Sequence, residues 1–203
     1  MRIHVLLALP LMGRMLYGAE YSKEDREQLL TLLEESKRQV AVALEGISHE
    51  QSKWTPDSNR WTILQVAEHL SLAEDFLFTG LMKALETAKP LPPDQPLPDP
   101  REIDQLVLQR IPDRTQKAKS PEATVPKGAP QDRDEAFRAF TEKREKTMKF
   151  VTDTKLNLRR YQLDSPVGKL DAHQWLMMIA AHTQRHIKQI SEVTQHELYP
   201  KTQ

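Results

Sequence analysis

No cysteine occurs anywhere in the 203-residue chain. Disulfides, thiolate metal sites, iron–sulfur clusters and cysteine nucleophiles are therefore excluded. Any metal must be held by imidazole, carboxylate or water. An excess of charge is missing too: 29 Lys and Arg balance 29 Asp and Glu, with no basic stripe or acidic tail. Nucleic acid and anionic membrane surfaces are poor partners for such a chain. No apolar run is long enough for a stable membrane span. The length suits one domain, with room beyond a four-helix core.

The N-terminus reads MRIHVLLALPLMGRMLYGAEYSKED. Arg2, the apolar run over residues 5–11 and the small pair Gly18-Ala19 form the pattern of a secretory signal peptide over residues 1–19. Arg14 and the bulky Tyr17 run against that pattern. Export is the expectation and the cytoplasm the alternative, leaving residues 20–203 as the folded domain.

Four stretches carry the apolar spacing of amphipathic helices. Over residues 22–47, Leu29, Leu33, Val40, Leu44 and Ile47 share one face, and Ser22 with Asp25 suggests a capping box. The second helix, over 62–88, opens on Thr62 and Gln65, the reciprocal S/T-x-x-Q box. It buries Ile63, Val66, Leu70, Ala73, Leu77 and Leu81. The third begins near Asp132, with Phe137, Phe140, Met148 and Val151 inside. The fourth begins at Asp171, with Gln174 three residues on, and runs to about 196. Its stripe is Trp175, Ile179, His182, His186, Ile190 and Val193.

Ten of the fourteen prolines lie between Pro90 and Pro130. Proline removes a donor and blocks helix continuation, so residues 89–131 read as a long irregular connection with one short helix near 102–110. It is either a flexible surface loop or a lid. Its length allows the second and third helices to run parallel, with a crossover between them. The expected fold is all-α: a four-helix bundle.

Seven histidines are present. His182 and His186, four apart, place two imidazoles on one helical face a turn apart, where both reach one ion. They also interrupt an apolar stripe, where an unpaired polar group costs about 1–3 kcal/mol. His69 borders the stripe of the second helix and can point toward them. Three neutral imidazoles are a familiar set for zinc, with positions left for water, and nickel or ferrous iron also suits imidazole. Core histidines bonded to neighbours are the plainer reading of each one. His4, His49, His173 and His196 read as solvated. Glu68 lies about 100° round the helix from His69 and reads as solvated, with a general base acting through water as the alternative. Gln189, three after His186, can orient an imidazole. Arg185 can bind an anion but is expected to be exposed. Trp54, Trp61 and Trp175 read as packing.

The segments SNRWTILQVAEHLSLAE and PVGKLDAHQWLMMIAAHTQRHIKQI resemble the two signature regions of the DinB-like superfamily, which includes bacillithiol-transferase-like proteins. Trp61, Thr62 and His69 match the first region; His182 and His186 match the second, with Gly168, Trp175, Arg185 and Gln189 around them. The resemblance implies a bundle of up-down-down-up topology. It further implies one divalent metal, zinc or nickel, on His69, His182 and His186. The activities it implies are mixed: metal-dependent hydrolysis of a small-molecule substrate, or thiol-dependent transfer or isomerisation. A non-catalytic metal- or ligand-binding bundle is the third option, and a homodimer is compatible with any of them.

Overall fold

Four side-chain caps start the long helices of the computed structural model, which describes residues 20–97 and 99–201. The proposed signal segment, His4 included, lies outside the described residues. Helix α1 spans Lys23–Leu44, and its cap Ser22 accepts from the Asp25 N–H. The reciprocal bond of a full box is not formed there, because the Ser22 hydroxyl donates to the Asp25 carboxylate instead. The helix stops short of Ile47, where Gly46 turns the chain at a φ of 71°, a conformation glycine adopts without steric cost. The next gap is not bare loop. It holds a short helix α2, His49–Lys53, with its own Ser48–Gln51 capping box.

The expected boxes at Thr62 and Asp171 are both complete. They open α3, Ile63–Thr87, and α6, Ala172–Thr194. Between these lie α4, Arg101–Arg110, and α5, Arg133–Asp153, capped by Asp132. The connection before α6 also carries an antiparallel hairpin of β1, Gln162–Ser165, and β2, Gly168–Asp171. Four-residue strands are too short to show a periodic pattern in the sequence.

Cross-helix contacts fix the directions. Arg26, at the start of α1, donates to the Val151 and Thr154 carbonyls at the end of α5. Arg133, at the start of α5, donates to the Leu44 carbonyl at the end of α1. Those two helices are antiparallel. Near the start of α3, Glu68 meets residues just ahead of α5, so α3 and α5 run parallel. The Trp175 indole, early in α6, donates to the Leu77 carbonyl, late in α3. The topology is up-down-down-up. Among the described residues no helix is long and apolar enough to cross a membrane.

The core divides into two apolar clusters. One gathers Leu29, Leu33, Leu81, Val151 and Leu176; the other gathers Val40, Val66, Leu70, Phe140 and Ile190. Between them, every long helix contributes polar groups. Arg144, fully buried, pairs with Glu74 through two bonds of 2.9 Å each. Its remaining N–H groups reach the Leu33 carbonyl, Ser36 and Thr183. Thr147 donates to the same Glu74 carboxylate. All five guanidinium donors are used, the condition under which a buried charge is tolerated.

At the end of the bundle where α1 begins, Arg159 bonds Asp25, Asp104 and Asp171. That hub ties α4 and the proline-rich connection to the start of α6. Beside it His173, expected to be solvated, is fully buried and bonded to the Tyr21 hydroxyl. Tyr21, just ahead of the α1 cap, covers this first turn of α6, a tertiary contact that helical spacing could not reveal. Burial, then the nearby Arg159, pushes the His173 pKa down to about 4. The folded chain thus binds fewer protons than the unfolded chain between about pH 4 and 6.5. Stabilisation by neutral His173 is complete above that window and is lost as pH falls through it. Burial raises Asp171 to about 6 against the pull of Arg159, and its linkage has the opposite sign: stability falls as pH rises toward 6. Urea unfolding at pH 7 and 5.5 is expected to show an acid loss in the parent that exceeds the loss in His173→Phe by about 1 kcal/mol. Equal losses in the two proteins would remove His173 from the account.

Candidate metal centre

His69 comes from α3, and His182 and His186 from the neighbouring antiparallel α6. Their spacing on stripes that face one another brings the rings together. The Nε2 of His186 lies 3.1 Å from the Nε2 of His69 and 3.1 Å from that of His182. The three candidate ligand atoms lie within 4.8 Å of one another. The Trp61 ring packs on His69 with centroids 4.8 Å apart, so the residue that precedes the helix cap also shields the histidine.

Hydrogen bonds decide which nitrogens carry protons. The Nδ1 of His69 sits 2.7 Å from the Thr124 carbonyl oxygen, which only accepts, so Nδ1–H donates and Nε2 keeps its lone pair. The Nδ1 of His186 meets the Gln189 side-chain oxygen at 2.8 Å, and the same follows. Two lone pairs therefore face each other with no proton between them, which is repulsive until a cation sits there. Metal–nitrogen bonds of about 2.0–2.1 Å set adjacent nitrogens about 2.9 Å apart at a right angle and about 3.4 Å apart at a tetrahedral angle. The observed 3.1 Å falls between the two.

Electrostatics keeps the rings neutral, as ligation requires. Burial lowers the His69 pKa, against the Thr124 bond. Burial lowers His182 to about 3, helped by His69, Arg185 and Arg144. Burial and the neighbouring His182 and His69 hold His186 far below the ordinary imidazole range.

Gln189 stands where its spacing from His186 placed it. Glu68 does not. It is buried, and its carboxylate accepts from the backbone N–H groups of Lys127, Gly128 and Ala129. It is thus not solvated; it clamps the connection beside the site. Arg185, expected to be exposed, is partly buried and donates to the Asp113 and Gln116 carbonyls. Both differences have one cause: the proline-rich connection docks on the bundle and presents backbone groups that polar side chains satisfy. Sequence reasoning missed Thr124 altogether, since a backbone carbonyl 55 residues from its partner leaves no trace in the spacing. Of the other histidines, His49 is exposed at the start of α2, and His196 is half-buried against Trp54 at 5.4 Å.

The trio forms the floor of a cavity of about 390 Å3. Ala73, Phe76 and Leu77 of α3, Met178 of α6 and Val167 of the hairpin give it an apolar wall. Among the described residues no carboxylate lines it.

An up-down-down-up bundle with three histidines meeting across α3 and α6 defines the class of protein. The chain belongs to the DinB superfamily, whose model matches residues 32–190. It is 25% identical over 165 residues to the uncharacterized protein YuaE of Bacillus subtilis strain 168, covering 81% of this chain and 96% of that one. Among solved structures it is similar to YfiT from Bacillus subtilis, with a TM-score of 0.55, 17% identity, and coverage of 87% of this chain and 90% of that one. YfiT is described as a probable metal-dependent hydrolase with an unusual four-helix bundle topology. At that identity the likeness speaks for the fold.

Proposed function

We propose that His69, His182 and His186 hold one divalent cation, zinc or nickel, and that the chain uses it to hydrolyse a small-molecule substrate. The observation that carries this reading is the meeting of three Nε2 atoms on the floor of an open cavity. When bound, such a cation polarises a substrate oxygen and draws the pKa of a water toward about 7. The chain supplies the rest. Thr124 and Gln189 fix the ring orientations of His69 and His186, and Trp61 with the apolar wall limits access of bulk water. With no carboxylate and no unused imidazole lining the cavity, a proton released at the site passes to solvent.

A purely structural cation calls for a closed coordination sphere. The absence of a lining carboxylate in a chain without cysteine favours an open one. The description given to YfiT names the same chemistry. Export of the chain, as its first 19 residues suggest, fits hydrolysis better than transfer from a cytosolic thiol.

The test is a panel of chromogenic esters and amides, assayed with no thiol present. Chelation is expected to lower turnover at least ~100-fold, and added zinc or nickel to restore it. Turnover that survives chelation overturns the reading, and turnover that appears only with a low-molecular-weight thiol assigns a transferase instead.

A further inference from the structure

The chain as a whole is neutral, yet the cavity above the histidines is not. Arg110, Lys117, Lys119 and Arg185 line it, with no acidic side chain among the lining residues. Among the described residues Arg110, Lys117 and Lys119 take part in no salt bridge, and Arg185 donates to carbonyl oxygens. Four positive charges therefore face one cavity, uncompensated from within. The proposed cation, held by neutral ligands, adds two more.

The stretch that carries the two lysines is anchored on both sides, while their side chains are exposed. Arg185 grips the carbonyls of Asp113 and Gln116 on one side. On the other, Thr124 is fixed to His69, and residues 127–129 are fixed to Glu68. Lys117 and Lys119 hang between these anchors at the rim. Opposite them stands the apolar wall of Phe76, Leu77, Met178 and Val167. A wider groove of about 630 Å3 shares Phe76, Leu77 and Pro166 with the cavity and reaches Trp175; Asp75 and Asp164 line it, so it can extend the apolar seat but not the place of an anionic group. A volume of this order suits a small organic molecule.

We infer that the substrate of this site is a small anionic amphiphile, with an apolar body seated against Phe76, Leu77 and Val167 and an anionic group facing Arg110, Lys117 and Lys119. This deepens the hydrolase reading and rests on it for the reaction, though not for the binding. Like charges gathered around a concave, low-dielectric wall concentrate oppositely charged ligands. Apolar contact supplies the affinity, and the charges select which apolar molecules stay.

The experiment measures binding rather than turnover, on the metal-free full chain. The anionic probe is 8-anilinonaphthalene-1-sulfonate, and its neutral counterpart is N-phenyl-1-naphthylamine. One site per chain is expected for the anion. The Lys117→Ala/Lys119→Ala double variant is expected to weaken it about 3- to 10-fold, and the neutral dye less than about 2-fold. Added salt is expected to reproduce the effect of the variant. Val167 lies half-exposed at the hairpin tip, so its replacement leaves the core untouched. Val167→Lys is expected to tighten the anion and Val167→Glu to weaken it. Equal affinity for both dyes, or an anion affinity indifferent to the lysines and to the charge placed at residue 167, overturns the inference. Metal content of the same variants, measured as purified and before the ion is stripped for the dye assay, separates the two claims. Lost anion preference with metal retained supports the inference. Retained anion preference in a His182→Ala chain without metal supports it too, while counting against neither.

Discussion

In protein purified without a nickel column, His182→Ala is expected to take bound metal from about one ion per chain to under about a tenth, through a fall in affinity larger than the roughly 10–100-fold that outer groups cost. The reason is geometric. The Nε2 atoms of His69 and His186 would remain 3.1 Å apart, but two imidazoles leave half or more of a coordination sphere to water. No lining carboxylate can replace the missing ring. Gln189→Ala should fall in the milder range, because it frees the His186 ring to rotate without removing it. The His182 ring is partly exposed but packs against the His69 and His186 rings, so the fold of the variant is read beside its metal. Elemental analysis of parent and variant, beside their circular dichroism, reads both metal and fold. Metal retained in full by a folded variant would sink the centre.

The second large effect concerns the polar layer beneath that centre. Arg144→Met strands the Glu74 carboxylate, only 2% exposed, and is expected to cost about 3–5 kcal/mol of stability. In a chain of this size that corresponds to a fall in Tm of roughly 10 °C. The double variant Arg144→Met/Glu74→Leu is expected to recover most of the loss, because both charges leave together. The surrounding hydroxyls have other acceptors within reach: Ser36 already donates to the Leu33 carbonyl, and Thr183 to that of Ile179. Thermal unfolding of the three proteins settles it. A single variant within 1 kcal/mol of the parent (about 2–4 °C), or a double as damaged as the single, would show that the pair does not hold the layer.

Sequence reading found the rods and the histidines because both obey helical spacing. Leu29 to Leu44, Ile63 to Leu81 and Trp175 to Val193 each repeat at three, four and seven, and His182 and His186 fall on the same count. The Arg144–Glu74 pair obeys it as well. Arg144 follows Phe140 by four and precedes Val151 by seven, and Glu74 follows Leu70 by four. Each is a charge on a buried stripe, and that signal was there to be read. In a run such as EKREK, however, a charged residue resembles ordinary helix surface. What spacing could not disclose is the docking of the connection. Glu68, Arg185 and His69 each find backbone partners in it, and a backbone donor or acceptor has no letter of its own. The hub around Arg159 was hidden for a similar reason, since its carboxylates come from α1, α4 and the α6 cap.

The carbonyl that fixes the His69 tautomer belongs to the proline-rich connection and to none of the four rods. The aim of that ring's lone pair is therefore set from outside the bundle, and whatever loosens the docking of residues 124–129 also releases the proton on Nδ1.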